Sequence, residues 1–169
     1  MQWMAGDVSA TTGIKGAGDF LSKTIRGKVT GESVIKPEYT GDGTLVLEPT
    51  YKHIILLDLD EWGNSIVLDD GLFLACESTL KQKAVRRKTF SSAFAGGEGF
   101  FNLGLKGSGV VCIESDCSRE ELVEITLEDD VVKIDGNLAI AWSGSLDFTV
   151  ERAGKSLLGS AASGEGLVN

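Results

Sequence analysis

Apolar and polar residues alternate one by one through much of this chain. Leu146, Phe148 and Val150 are interleaved with Ser145, Asp147, Thr149 and Glu151. Phe101, Leu103 and Leu105 alternate with Asn102, Gly104 and Lys106, and Val132 and Ile134 with Lys133 and Asp135. A period of two puts successive side chains on opposite faces, so each stretch predicts a strand with one buried and one wet face. Val123, Ile125 and Leu127 alternate with Glu124, Thr126 and Glu128 in the same way. Just before them, Ser118-Arg119-Glu120-Glu121 has capping-box spacing that would open a helix running to Asp129. The alternation favours a strand here, entered through one helical turn.

Turn chemistry agrees with a strand-rich chain. There are 22 glycines and 2 prolines, the balance expected of a molecule built from hairpins. Gly41, Gly43, Gly107 and Gly109 bracket predicted strands as turn or bulge residues, where positive φ costs glycine little. These glycines also belong to a longer self-match: Gly31-Glu32 with Gly41-Asp42-Gly43 returns 66 residues later as Gly97-Glu98 with Gly107-Ser108-Gly109. Thr44-Leu45-Val46-Leu47-Glu48 then falls on Val110-Val111-Cys112-Ile113-Glu114, and Phe73-Leu74-Ala75-Cys76 on Ala139-Ile140-Ala141-Trp142. A third Gly164-Glu165-Gly166 stands near the end of the sequence. The units are therefore read as the tail of a first β repeat at 1–30, a second repeat at 31–96, a third at 97–163 and the start of a closing strand at 164–169. Stretches rich in Gly, Ser, Ala and basic residues at 13–30, 85–96 and 153–163 are the long connections between them. Repeated units bury their apolar faces against one another, so function is expected on a shared surface rather than in one deep site.

Charge narrows the partners. Formal net charge is −9 at pH 7, which disfavours a phosphate backbone, because binding one requires lysine and arginine to displace counterions. The basic run Arg86-Arg87-Lys88, with Lys81 and Lys83 before it, reads as a solvated stretch, and no nucleic acid partner is expected. No apolar run is long enough to form a membrane-spanning helix, and Met1 to Asp7 lacks the features of a signal peptide. The expected location is cytoplasmic.

Candidate chemistry is sparse. His53 is the single histidine, too few for a multi-histidine metal centre, and it reads as a surface residue entering a strand. Asp58-Leu59-Asp60-Glu61-Trp62-Gly63 with Asp69 has the carboxylate spacing of a calcium loop. However, Trp62 stands at a ligand position and strands flank it, so it reads as an acidic hairpin turn closed at Gly63-Asn64. The pairs Asp69-Asp70 and Asp129-Asp130 read as solvated turn residues, since neighbours on a strand face opposite ways. Cys76, Cys112 and Cys117 contain no Cys-x-x-Cys pair and are expected as reduced thiols. Trp3 and Trp142 are expected in core or interface packing. No nucleophile elbow, P-loop or complete dinucleotide fingerprint occurs. No catalytic residue, cofactor or metal is expected, and the chain does not read as an enzyme. Gly31, Glu32, Gly97, Glu98, Gly99, Gly164 and Glu165 are left as the repeat-motif and interface candidates. The glutamates either cap the turn that starts each unit or, in a symmetric ring, form a circle.

Taken in order, Trp3-Met4, Gly31-Glu32-Ser33, Phe73-Leu74-Ala75, Gly97-Glu98-Gly99-Phe100-Phe101, Gly107-Ser108-Gly109, Val132-Lys133-Ile134-Asp135 and Gly164-Glu165-Gly166-Leu167-Val168 resemble the altered inheritance of mitochondria protein 24 family. The resemblance covers essentially the whole chain. It implies an all-β fold of tandem antiparallel β-sandwich repeats, of the double-stranded β-helix type, similar to the tryptophan RNA-binding attenuation protein (TRAP-like). It further implies a pseudo-threefold arrangement and a homo-trimer closing a ring. Family members extend beyond both ends of this sequence, so the chain is expected to be part of a longer one. The mitochondrial relative is linked to inner-membrane organisation, while RNA binding does not follow from the fold of the namesake.

The function expected on these grounds is a non-enzymatic assembly or scaffold protein whose trimeric ring surface meets a protein or membrane-associated partner. The alternative is a small-molecule-binding module with pockets between repeats.

Overall fold

The computed structural model describes residues 1–11, 37–86, 88–89, 101–134, 138–152 and 167–168. Among the described residues it is all-β apart from one short turn of 3-10 helix. The strands are β1 (Trp3–Thr11), β2 (Glu38–Val46), β3 (His53–Asp58), β4 (Ser65–Leu68), β5 (Phe73–Cys76), β6 (Lys81–Arg86), β7 (Lys88–Thr89), β8 (Phe101–Lys106), β9 (Val110–Ser115), β10 (Ala141–Ser143), β11 (Thr149–Arg152) and β12 (Leu167–Val168). They form four sheets, in the orders β1-β2, β10-β4-β8-β6, β12-β11-β7 and β3-β9-β5.

Two of these sheets are one ribbon folded over. β3, β9 and β5 lie side by side in one layer, and their continuations β4, β8 and β6 lie in the same order in the other. The connections at 59–64, 77–80 and 107–109 all cross between layers at one corner. These are arches and not the hairpins expected from the glycine count: strands joined by these connections do not pair with each other but face each other across the core. Both layers are antiparallel, with Ile55 opposite Ile113 and Leu68 opposite Leu103.

The core lies between the layers. Ile55, Val111, Ile113 and Phe73 come from one sheet, and Ile66, Leu68, Leu103 and Leu105 from the other. Leu59, Leu72 and Leu80 close its ends. β9 alternates, burying Val111, Ile113 and Ser115 and half-exposing the residues between. β8 does not. Asn102 and Gly104, expected on a wet face, are buried as well. Trp142, Val67, Gly104 and Lys83 form a row across β10, β4, β8 and β6, and Phe148 stacks on Trp142 with ring centroids 3.9 Å apart. That stack places aromatic surface on the outer side of the sheet, where an amphipathic strand would have met water.

The corner is held by the backbone. Leu59 donates to the Gly109 carbonyl at 3.0 Å, and Gly107 donates to the Asn64 carbonyl at 3.1 Å. Gly109 has φ 142, and a Cβ there would stand 2.5 Å from Glu77 Oε2 and 2.6 Å from Thr79 Oγ1. Only glycine lets the arches approach so closely. Gly41, by contrast, lies inside β2 opposite Val8, where φ is 118 and a Cβ would collide with the Asp7 carbonyl. The matched glycines of the two motifs thus occupy different places, within a strand in one case and at an arch in the other.

The strand expected around Val123, Ile125 and Leu127 is not formed. The helical turn before it is present as Arg119–Glu121, after which residues 122–134 carry no strand ladder. Val132 and Ile134 belong to this same stretch without a ladder. β11 pairs in parallel with β7, an exception to the otherwise antiparallel pairing. The expected unit boundaries at 30/31, 96/97 and 163/164 lie outside the described residues.

Candidate functional site

The sandwich presents its most accessible apolar surface on the layer β3-β9-β5. β3 is an edge strand, and alternation turns Ile55 into the core while Ile54 and Leu56 point outward. Leu56 is 69 % exposed. Register places Ile54 beside Glu114 and Leu56 beside Cys112, and Cys112 beside Ala75 on β5. The result is an apolar strip of Leu56, Cys112 and Ala75 across the sheet, with Glu114 at one side. Burial, followed by the negative charge of Glu114, pushes the Cys112 thiol above its usual range. Tyr51, in the approach to β3, is fully exposed.

Polar groups around the corner are committed to structure. Asp58 Oδ1 accepts from the Asp60 amide at 3.0 Å, and Asp60 Oδ2 accepts from Ser108 Oγ at 3.0 Å. Gly63 and Asn64 both have positive φ, so the loop with calcium-like spacing is a tight turn, as expected, although it joins two layers rather than closing a hairpin. Among the described residues, no group of three or more His, Cys, Asp or Glu is placed to hold a metal ion.

Asp69 departs from its expected role as a solvated turn residue. It is half-buried and accepts from the Asn102 side-chain amide at 2.9 Å, while the same amide donates to the Leu68 carbonyl at 3.2 Å. The buried asparagine in a strand was the signal for this, because a buried amide requires partners. Asp129 and Asp130 are exposed, with Asp129 at φ 51. His53 is exposed at the start of β3, as read. Trp142 is buried, whereas Trp3 is half exposed on β1. Cys76, Cys112 and Cys117 form no disulfide.

Gly31, Glu32, Gly97, Glu98, Gly99, Gly164 and Glu165, the candidates from the repeat motif, lie outside the described residues. Arg87 does so too. What the motif did not indicate is the pair of outward residues on β3. Ile54 and Leu56 sit in the run Ile54-Ile55-Leu56-Leu57, and a continuous apolar run hides which members an edge strand leaves in water.

Other proteins are similar to this chain in sequence and in fold. The family profile described as "Mitochondrial biogenesis AIM24" matches residues 1–169. An uncharacterized protein of Streptococcus pyogenes serotype M6 is 31% identical over 170 residues, a match that covers 96% of this chain and 66% of the relative. The chain thus spans just under two thirds of that relative's length. The crystal structure of a Streptococcus pyogenes protein, 30% identical, superposes with a TM-score of 0.68 over 99% of this chain and 73% of the other. No helix among the described residues is long and apolar enough to cross a membrane.

Proposed function

The chain belongs to the mitochondrial biogenesis AIM24 family, and from that membership we propose that it is a non-enzymatic assembly protein. In this reading it associates with copies of itself, as a trimer closing a ring, and the ring presents a sheet surface to a protein or membrane-associated partner. The observation that carries the reading is the uncovered edge strand β3 with Ile54 and Leu56 in water. An open strand edge offers unpaired backbone donors and acceptors, and natural folds blunt such edges with charge or cover them. Beside that edge β3 offers two large aliphatic side chains, a composition suited to an interface core.

Light scattering of the chain over a concentration series tests the reading. Self-association to a defined mass, lowered by Leu56→Lys, is the expected result. A monomer at every concentration would sink the assembly reading. Turnover of a defined small molecule by the purified protein, abolished by one substitution, would sink its non-enzymatic part.

A further inference from the structure

Residues 123–128 have the composition of a strand without a strand's partner. Val123, Ile125 and Leu127 alternate with Glu124, Thr126 and Glu128, but no ladder forms there. Val123 is 84 % exposed, Ile125 is exposed too, and Val131 further along is 78 % exposed. A period-two pattern with two of its three apolar residues in water, Leu127 being half-buried, describes an edge awaiting a sheet.

The matching sheet edge lies on the other side of the molecule. β6 is the outermost strand of the sheet β10-β4-β8-β6. On its outer face stand Lys81 and Lys83, and Lys106 of β8 pairs beside Lys81. None of these three lysines forms an ion pair among the described residues. On its inner face Gln82 and Ala84 pair with Leu105 and Leu103 of the core. Gln82 is exposed and Ala84 half-buried, above Leu103 and Leu105, which are covered.

The two faces of the unpaired segment fit the two faces of this edge. With Glu128, and with Glu124, which pairs with Arg119 at 2.8 Å within the chain, turned toward Lys81, Lys83 and Lys106, the period of two turns Val123, Ile125 and Leu127 toward the flank of Gln82 and Ala84. The segment lies between β9 and β10, and β10 is the opposite edge of the sheet that β6 ends. Edge and segment therefore meet only between copies. We infer that residues 123–128 of one copy add as a strand to β6 of the next, the acidic side against the lysines and the apolar side over the core. The inference deepens the assembly reading above and rests on it. A contact of this kind is head-to-tail, and head-to-tail contacts close into rings when the rotation allows.

Charge exchange tests it in the full chain. Two variants, Lys81→Glu with Lys83→Glu, and Glu124→Lys with Glu128→Lys, change exposed side chains; circular dichroism and thermal melting check that both fold. Each variant alone is expected to self-associate about tenfold more weakly or worse than the unaltered chain, because like charges face each other across the contact. The chain carrying all four substitutions restores association, because opposite charges meet again at every contact. Ile125→Pro, which removes a ladder donor and leaves the charges intact, also weakens association. If the unaltered chain associates and neither charge reversal changes its mass, the strand-addition inference is overturned while the assembly reading stands. If the unaltered chain is monomeric throughout, both fall.

Discussion

Glu77 and Val110 are joined twice: the Glu77 amide donates to the Val110 carbonyl at 3.1 Å, and the Val110 amide donates to Glu77 Oε2 at 2.9 Å. The side chain thus takes the place of a backbone acceptor where β5 has ended and β9 has begun. It also explains the glycine at 109, since a Cβ there would strike the same carboxylate oxygen.

Replacing that acceptor loosens the corner. Glu77→Ala is expected to cost about 1–2 kcal/mol, at the low side of the range for a hydrogen bond to a charged group because the site is exposed. Gly109→Ala is expected to cost at least about 1 kcal/mol through its positive φ alone. Their effects are expected to be non-additive, because the alanine Cβ and the Glu77 carboxylate compete for the same space. Urea unfolding of the two single variants and the double variant reads all three quantities.

Asn102 is 1 % exposed, and its amide serves both the Leu68 carbonyl and the Asp69 carboxylate. Asn102→Ala removes both donations and leaves a half-buried carboxylate without this partner, a loss of roughly 1–3 kcal/mol. Asn102→Leu, of the same branched shape but larger, fills the site without the donors and is expected to remain destabilised. Denaturant midpoints at neutral pH separate packing from hydrogen bonding.

The turn Arg119–Glu121 is acid-sensitive. The Ser118 amide donates to Glu121 Oε2 at 2.8 Å, and this bond, with the Ser118 side chain and the charge of His53, lowers the Glu121 carboxyl below its ordinary range. Glu120 is lowered as well, first by its own backbone amide. A depressed folded pKa means that the contribution is present above the unfolded value, about 4.3, and is lost as pH falls through the folded one. Carboxyl-carbon NMR titration is expected to place the midpoint of Glu121 below that value. In Glu121→Gln, the acid-induced change in the Ser118 amide resonance is expected to be lost.

Cys112 is expected to be the slow thiol. Burial first, and Glu114 second, raise its pKa, and the thiolate is the reactive form. At pH 8 its alkylation by iodoacetamide is expected to be slower than in the unfolded chain. Glu114→Gln should speed it only modestly, because burial is the larger cause. Mass spectrometry of the tryptic peptides follows the site directly.

Several of these features were legible in the sequence. Alternation located β8, and the acidic turn at Gly63-Asn64 is where turn chemistry placed it. The same rule failed at Val123, Ile125 and Leu127 because alternation describes the two faces a strand would offer, not whether a neighbouring strand is there. It failed differently at Asn102 and Gly104, where Trp142 and Phe148 add an aromatic layer from residues about 40 positions away in the chain. Asp69 read as solvated because its partner Asn102 is remote in sequence. Glycine spacing matched Gly41 to Gly107, but a glycine can serve a close strand crossing as well as an arch, and spacing does not distinguish them.

The arches also bear on how the chain reaches its fold. In the sandwich, β3 finds β9, β4 finds β8 and β5 finds β9, each across a long intervening stretch, and only β6 and β8 pair as successive strands of it. Such a topology offers few local contacts to nucleate on, and loop closure must precede the contacts that reward it. Refolding is therefore expected on the order of milliseconds to seconds, not the microseconds of a helical bundle. During that interval the unpaired strands are open to the wrong partners.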